Sequence, residues 1–316
     1  MASRELPFRH ITLVGIGLIG SSLSHAIRRA DETAHIHIID ADADNLARAE
    51  TIGLGNSYSG NCDEANDSDL VILCTPVGAM GQICSELGPN LKPGAVVTDV
   101  GSVKEHVEKT MADTLPDSVI TIPGHPVSGT EQSGPDAGFA TLFDDRWCIL
   151  TPNADTDKAA LARLTGFWEM LGAKVDTMTA DHHDLVLAIT SHVPHLIAYN
   201  IVGTAADLEK VTQSEVISYS AGGFRDFTRI AASDPTMWRD VFLMNKSAVL
   251  EMLGRFQEDL SALARAIRWD DGDSLYNLFS RTREIRRGIV DAGQDVAGAD
   301  FGRERDHLDP DDQDED

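Results

Sequence analysis

Three polar segments of the chain contain residue types that catalyse reactions on small molecules. In GHPVSGTEQSG, His125 lies in a loop of glycine, proline and small polar residues, directly after the apolar run VITIP. The other two segments are DVGSVK (Asp99–Lys104) and SHVPH (Ser191–His195). Histidine exchanges protons near neutral pH, so His125 is a candidate for catalysis. The alternative is a histidine that only caps its loop.

A fourth segment, GGFRDFTRIAASDPTMWRD (Gly222–Asp240), combines arginines, aromatic residues and glycines. An arginine guanidinium presents a fork of N–H donors that matches a carboxylate. Glycine allows the backbone to approach a ligand closely. This segment therefore predicts a site for an acidic substrate, with an ion pair between domains as the alternative role for its arginines.

The stretch GIGLIG matches the G-x-G-x-x-G pattern of dinucleotide-binding proteins, and it follows an apolar strand and opens a helix. Gly15 permits the tight turn, Gly17 lets the backbone approach a pyrophosphate, and Gly20 lets helix and strand pack closely. The helix N-terminus supplies N–H donors for phosphate, and we include Leu18 and Ile19 among the cofactor-binding residues.

Asp40 ends the second strand, HIHIID, twenty positions after Gly20. A carboxylate there accepts hydrogen bonds from the ribose diol and repels a 2′-phosphate, so the sequence predicts NAD rather than NADP. Thr75 and Pro76 end the next strand of the series and are expected to line the cofactor cleft. The alternative is a glycine turn followed by an ordinary strand-end aspartate.

These motifs require a parallel sheet, and the first half of the chain alternates strand and helix signals accordingly. We predict an α/β Rossmann-type NAD-binding domain at 1–178, with SVITIPG and RWCILTP as further strands of the same series. From Thr179 onward the apolar spacing is helical, which predicts an all-α substrate and dimerisation domain at 179–290. The acidic residues 291–316 are predicted to be a disordered tail.

The helical half contains a start signal and two apolar stripes. Asp234 before Pro235 is typical of an N-cap followed by a first-turn proline. The stripes consist of Val249, Leu253, Phe256, Leu260, Leu263 and Ile267, then Leu275, Leu278, Thr282 and Ile285. Long apolar stripes favour pairing with a second copy of the chain, so we predict a homodimer. The alternative is that the stripes are ordinary core.

Composition excludes several classes of partner. The formal net charge of −25 argues against nucleic acid and anionic membranes, which require positive surface. No run of about 18 apolar residues is evident, and the first residues lack the apolar centre of a signal peptide. The four cysteines have no metal-type spacing, so we expect free thiols, a cytoplasmic location and no metal.

Taken in order, the motifs resemble those of the prephenate/arogenate dehydrogenases of tyrosine biosynthesis. The resemblance covers Ile11 to about Ile289. It is carried by GIGLIGSS, TDVGSVK, GHPVSGTEQSG, CILTP, SHVPH and GGFRDFTRIAASDPTMWRD. Such enzymes transfer hydride from the hydroxyl-bearing ring carbon of prephenate to NAD and release carbon dioxide. The resemblance implies a Rossmann domain, a helical dimerisation domain and a small acidic substrate.

The resemblance also implies residue roles. His125 matches the catalytic histidine that contacts the ring hydroxyl, and Ser102 is expected to share its hydrogen-bond network. Arg229 is expected to bind a substrate carboxylate, and His192 to face the cleft as a binding residue. His195 is expected to be structural.

Two further loop residues are expected at the substrate. Thr130 allows close backbone approach, and Glu131 either selects between prephenate and arogenate or braces the loop. His182 and His183, at the start of a helix, are expected to lie on a solvated face.

Three other functions stay open. An arogenate-specific dehydrogenase differs only in the substrate side chain. A β-hydroxyacid dehydrogenase needs a catalytic lysine on the first helix of its second domain, and 180–208 contains none. A protein that only binds NAD would have lost the substrate residues, yet His125, Ser102, Arg229 and His192 are all present.

Overall fold

The computed structural model describes residues 5–130, 132–212 and 221–291. Glu131 and nearly all of the predicted acidic tail lie outside the described residues. The described chain divides into two compact units, one formed by 1–193 with 233–249 and the other by 194–232 with the residues from 250 onward. The domain limits at 178 and 290 therefore stay predictions, since each packed unit combines two separate segments of the sequence.

The first unit is built on a six-stranded parallel sheet with the order β3-β2-β1-β4-β5-β6. Its strands are β1 (His10–Val14), β2 (His35–Ile39), β3 (Ser57–Ser59), β4 (Leu70–Leu73), β5 (Val96–Asp99) and β6 (Ile120–Thr121). The helices between them are α1 (Leu18–Ala30), α2 (Ala43–Thr51), α3 (Met80–Leu87) and α4 (Glu105–Thr114). This strand order is that of dinucleotide-binding folds, which confirms the predicted fold class.

Both faces of the sheet are covered, as an all-parallel sheet requires. Along β4, Leu70 and Ile72 belong to one buried cluster, whereas Val71 and Leu73 belong to the other. Because successive side chains of a strand point to opposite faces, such a strand must be apolar throughout. The short apolar runs of the sequence follow from this double burial.

A second, three-stranded sheet differs from the prediction. Its strands are β7 (Gly124–Pro126), β8 (Trp147–Leu150) and β9 (Lys174–Thr177), with β7 antiparallel and β9 parallel to β8. The expectation that SVITIPG and RWCILTP continue the parallel series is therefore wrong beyond β6. After Ile122 donates to Val97, the next ladder donor would be Gly124, but its N–H bonds the side chain of Asp99 at 3.0 Å and the chain there pairs with β8. Helix α5 (Lys158–Met170) joins β8 to β9.

From residue 179 onward the described chain contains helices and no strands, as predicted. These are α6 (Ala180–Leu187), a π-helical segment (Ala188–His192), α7 (Val193–Thr212), α8 (Gly222–Thr228), a 3-10 turn (Arg229–Ala232), α9 (Pro235–Met244), α10 (Lys246–Arg268) and α11 (Gly272–Asp291). The side chain of Asp234 accepts a hydrogen bond from the backbone N–H of Met237 at 2.8 Å, so the predicted cap of α9 is confirmed.

The second unit presents apolar side chains to solvent. On α10, Leu260 is 47% exposed and Ile267 is 65% exposed; on α11, Ile285 is 58% exposed. In the isolated chain, these parts of the predicted stripes are therefore not core.

The continuous helical stretch Ala180–Asp207 is long and apolar enough, by length and composition alone, to cross a membrane. This corrects the expectation that no such run exists. A helix of a globular protein that packs in a core or interface passes the same test. Its first half contains His183, Asp184 and His192, which are buried in the first unit.

Candidate active site

The glycine loop between β1 and α1 has the geometry that its sequence requires. Gly15 has φ of +95°, a conformation that favours glycine, and a Cβ there would lie 2.8 Å from the carbonyl oxygen of Cys74. At Gly20, a Cβ would lie 2.1 Å from the carbonyl oxygen of Gly15. Both positions therefore exclude any larger residue while α1 packs against the turn.

Gly17 differs because a Cβ there would meet no atom within 4 Å. It is the N-cap of α1, so open space adjoins the N–H groups and positive dipole end of a 13-residue helix. Leu18 is buried in the core and Ile19 packs against it, so only their backbone N–H groups can serve a ligand. The hydroxyl of Ser21, in the first turn of α1, donates a hydrogen bond to the carbonyl of Gly17 at 2.7 Å.

The carboxylate of Asp40 is fixed beside this loop. Its Oδ2 accepts the backbone N–H of Ile16 at 2.8 Å, and its Oδ1 accepts that of Asp42 at 2.8 Å. Thr75 and Pro76 follow β4, and a Cβ on Gly15 would lie 2.8 Å from the Cγ2 of Thr75. These residues thus surround the point where β1 and β4 diverge, which is where doubly wound sheets bind dinucleotides. The open helix terminus and adjacent carboxylate fit NAD.

A chain of buried polar side chains begins at His125 on β7. The Nδ1 of His125 lies 2.9 Å from the Nε2 of His183, and the Nδ1 of His183 lies 2.8 Å from the Oδ1 of Asp184. The exposed fraction is 7% for His125, 0% for His183 and 1% for Asp184. The expectation of a solvated face is therefore wrong for His183, which α6 turns into the interior, although the adjacent His182 is exposed.

Asp184 also caps α4. Its Oδ1 accepts the backbone N–H of Lys104 at 2.7 Å, and its Oδ2 accepts that of Glu105 at 3.0 Å. No side chain of α4 performs this role, since Lys104 stands at the N-cap position and makes no capping bond. A carboxylate at a helix N-terminus is stabilised by the helix dipole. Asp184 therefore joins α6 to the start of α4.

A buried ion pair lies behind His125. The Nζ of Lys104 contacts the Oδ2 of Asp99 and donates to the carbonyl of Gly124 at 2.7 Å. Asp99 also accepts the backbone N–H groups of Gly101 at 2.8 Å and Gly124 at 3.0 Å. Burial raises the pKa of Asp99 and lowers the pKa of Lys104, while their attraction opposes both shifts. The pair ties the end of β5 to the residue that precedes His125.

His192 is packed inside the first unit. It is fully buried, its Nδ1 accepts a hydrogen bond from the amide of Asn245 at 3.1 Å, and its ring lies edge-on to Trp238 with centroids 6.0 Å apart. The same amide donates to the backbone carbonyl of Asp184 at 2.8 Å. The π-helical segment ends at His192. The expected role of this residue in substrate binding stays a prediction.

Burial and neighbouring charges keep His125 and His183 neutral. Burial lowers the pKa of His125 well below its ordinary value, and the neighbouring His183, Lys104 and His192 lower it further. Burial also lowers the pKa of His183, to about 2, with Lys104 and His192 acting in the same direction. Both imidazoles are therefore uncharged near neutral pH, as a proton acceptor must be.

Ser102 is half-buried and makes no hydrogen bond to His125, whose side-chain partner is His183. Thr130 is exposed, and its hydroxyl accepts the backbone N–H of Gln132 at 3.3 Å. Glu131 lies outside the described residues.

In the second unit, Arg229 is exposed at the start of the 3-10 turn, and His195 is half-buried on α7. The predicted roles of both residues stay predictions. Among the described residues, no group of three or more His, Cys, Asp and Glu could hold a metal ion.

Two models of protein families match the chain. The model described as "Prephenate dehydrogenase, nucleotide-binding domain" matches residues 23–177. The model described as "Prephenate dehydrogenase, dimerization domain" matches residues 179–281.

Individual proteins are also similar. The cyclohexadienyl dehydrogenase of Zymomonas mobilis is 43% identical over 89% of this chain and 96% of its own length. A crystal structure of prephenate dehydrogenase from Aquifex aeolicus, in complex with hydroxyphenyl propionate and NAD+, has a TM-score of 0.85 at 32% identity and covers 90% of this chain and all of that one. The arogenate dehydrogenase of Synechocystis has a TM-score of 0.75 at 28% identity, over 89% of this chain and 99% of that one.

Proposed function

Since the chain belongs to the prephenate dehydrogenase family, we propose that it catalyses the NAD-dependent oxidative decarboxylation of prephenate to 4-hydroxyphenylpyruvate in tyrosine biosynthesis. The observation that carries this proposal is the buried, neutral His125 on β7, in the same unit as a dinucleotide-binding glycine loop. The remaining residues are assigned roles that the reaction requires.

The reaction balances without an external acid or base. The ring carbon bearing the hydroxyl loses a hydride, and the hydroxyl loses its proton to His125. The opposite ring carbon loses carbon dioxide, and the electron pair of the broken carbon–carbon bond stays with the ring and makes it aromatic. The phenol oxygen then recovers the proton from His125, so the overall reaction releases no proton. NAD, when bound, supplies the hydride acceptor.

His125 is the general base. Its Nδ1 is engaged by His183, so Nε2 is the nitrogen that faces the substrate hydroxyl. A lowered pKa keeps this nitrogen unprotonated over a wide pH range, which general-base catalysis requires. Positioned groups of this kind contribute about 10² to 10⁴ in rate. Ser102 acts near His125 without a direct hydrogen bond to it.

The acidic substrate needs cationic and polar contacts. Arg229 binds a carboxylate, most simply the ring carboxylate that leaves as carbon dioxide, because its fork matches a carboxylate's geometry. Thr130 and Glu131, which follow His125 in the sequence, are assigned to substrate contact. His192 is assigned to substrate binding, and its bond to Asn245 also helps to position α6 and α9.

The cofactor residues follow from the glycine loop. Gly15, Gly17 and Gly20 form the turn that accepts the pyrophosphate, with the backbone N–H groups of Leu18 and Ile19 at the start of α1. Asp40 binds the adenosine ribose and disfavours NADP, and the segment Thr75–Pro76 lines the cleft on the side of β4.

Prephenate is the proposed substrate and arogenate a second one, in line with the family description and with a relative named cyclohexadienyl dehydrogenase. Prephenate carries a keto-acid side chain, whereas arogenate carries an amino acid at the same position. Steady-state turnover with each compound, followed by NADH absorbance, tests this choice. Turnover of arogenate alone would replace it with the arogenate-specific alternative.

We also propose that the enzyme is a cytoplasmic homodimer. The second matching family model is described as a dimerization domain, and α10 and α11 expose large apolar side chains that a second copy would cover. All four cysteines are free thiols, which agrees with a reducing compartment. Sedimentation at micromolar concentration gives the mass; a monomer there would contradict the dimer.

His125→Asn tests the catalytic role. The expected result is unchanged NAD binding, measured by titration, and a fall in prephenate turnover of about 10² or more. His182→Asn is the matched control, because His182 is exposed on α6 and lies outside the buried chain. Unchanged turnover in His125→Asn would refute the assignment.

A further inference from the structure

The side chains behind His125 have a definite direction of hydrogen bonding, and it starts at Asp184. Both oxygens of Asp184 accept backbone N–H groups at the N-terminus of α4. Burial raises the pKa of this carboxyl, but the two N–H donors and the helix terminus stabilise its anion. An ionised carboxylate can only accept hydrogen bonds. The Nδ1 of His183, 2.8 Å away, must therefore be the donor.

This bond determines the tautomer of His183. A neutral imidazole carries one N–H and one lone pair, so a proton on Nδ1 leaves Nε2 as an acceptor. The pKa of His183 is strongly lowered, which excludes the doubly protonated form near neutral pH. Its Nε2 lies 2.9 Å from the Nδ1 of His125. Two lone pairs cannot face each other at that distance, so the Nδ1 of His125 carries the proton.

We propose that His183 and Asp184 are positioning residues that set the tautomer of His125, so that its Nε2 presents a lone pair to the substrate hydroxyl. The inference rests on the proposed function, which makes His125 the general base. Within the described residues, Nε2 of His125 makes no hydrogen bond, so its lone pair is not consumed by the protein. The arrangement is a carboxylate–imidazole–imidazole chain, in which neither His183 nor Asp184 touches substrate.

The hydrogen-bonded series Asp184–His183–His125 disfavours the opposite pair of histidine tautomers. If His183 were protonated on Nε2 instead, its Nδ1 lone pair would face the Asp184 carboxylate at 2.8 Å. The Nδ1 of His125 would then be an acceptor and its Nε2 an N–H donor, unable to take a proton. Because Asp184 is held by the backbone of α4, the favourable tautomer is built into the packing of α4 against α6.

Two substitutions of similar size at His183 separate positioning from simple packing. In His183→Gln, the amide oxygen can accept from the Nδ1–H of His125 and preserve the tautomer. In His183→Met, no acceptor of comparable strength remains. We expect kcat for prephenate to fall about 10²-fold in His183→Met and less than about 10-fold in His183→Gln, with KM little changed. The exposed His182→Gln is the control and is expected to match the wild type.

A double-mutant cycle tests whether the effect passes through His125. In the His125→Asn background, His183→Met is expected to cause no further loss of kcat, because the tautomer to be set has gone. If His183 serves only to pack α6, its loss will add to that of His125→Asn. Equal losses in His183→Met and His183→Gln would also overturn the inference.

A measurement without substrate covers the case in which the methionine variant folds poorly or prephenate is not the substrate. Nitrogen-15 NMR of the wild-type histidine side chains, at neutral pH and with NAD absent, distinguishes protonated from unprotonated ring nitrogens. We expect His125 to show a proton on Nδ1 and none on Nε2, assigned by the loss of its signals in His125→Asn. A proton on Nε2 would overturn the inference whatever the enzyme's activity, whereas failure of prephenate turnover with the expected tautomer would count only against the proposed substrate.

Discussion

Replacing Lys104 by methionine should destabilise the first unit strongly. The ammonium group is fully buried, contacts the buried carboxylate of Asp99 and donates to the carbonyl of Gly124. Removing one partner of a buried pair leaves an uncompensated charge, which costs about 3 to 5 kcal/mol. For a folding unit of roughly 150 to 250 residues, each kcal/mol shifts Tm by about 2 to 4 °C, so we expect a fall of about 6 to 20 °C.

The matched control is the same substitution in an exposed pair. Lys92 lies 2.7 Å from Asp69, with side chains 39% and 28% exposed. Lys92→Met should cost at most about 1 kcal/mol, because water screens such pairs. Adding Asp99→Asn to Lys104→Met removes the uncompensated charge and should recover part of the loss. Urea unfolding gives the free energies; a Lys104→Met variant as stable as Lys92→Met would refute the reasoning.

The loss of unfolding free energy in Lys104→Met should increase with pH. Burial already raises the pKa of Asp99, and loss of the lysine removes the main group that opposes this rise. A carboxyl whose folded pKa is raised favours folding at low pH and loses that contribution as pH increases through the folded value. The stability gap between wild type and variant should therefore widen from about pH 4 towards neutrality. A gap that narrows over this range would contradict the assigned burial.

Three further predictions concern the cofactor loop and the base. Gly20→Ala should lower both Tm and NAD affinity, because its Cβ would lie 2.1 Å from the carbonyl oxygen of Gly15. Gly17→Ala should lower NAD affinity alone, because its Cβ enters open space. Thermal unfolding and NAD titration of the two variants check this contrast. Asp40→Asn keeps an acceptor for the N–H of the loop but removes the negative charge, so the ratio of kcat/KM for NADP to that for NAD should rise; an unchanged ratio would remove Asp40 from cofactor selection. Because the pKa of His125 is lowered and the base acts in its neutral form, kcat/KM should hold as pH falls through 6.5 and be lost only at lower pH; a midpoint at 6.5 or above would contradict the buried environment.

The fold was largely predictable because its signals are local. Apolar runs at both faces of a parallel sheet, a glycine turn opening a helix and an Asp-Pro start of α9 each follow from a few neighbouring residues. The second sheet is predicted only in part because strand direction depends on pairing partners far along the chain. β7 and β8 have ordinary strand composition, so their own sequences do not show that the chain changes sheets after β6.

The site was predictable to the extent that it lies in motifs. The motifs identify His125 and the glycine loop, but the polar start of α6 predicts a solvated position for His183, since such helix starts usually face water. Its burial depends on contacts with residues such as His125, 58 positions away, which no local pattern encodes. The adjacent HHD letters, with two histidines beside a carboxylate, were the available signal.

The cap that Asp184 places on α4 bears on how the chain can be divided. A fragment ending at residue 178 would keep every strand of both sheets, including β9. It would nevertheless leave the first N–H groups of α4 without their acceptor and the Nδ1 of His125 facing water. Such a fragment would retain the residues of the glycine loop and lose the environment of the base. A recombinant nucleotide-binding half therefore has to extend through α6 to keep the cap of α4 and the hydrogen-bond partner of His125.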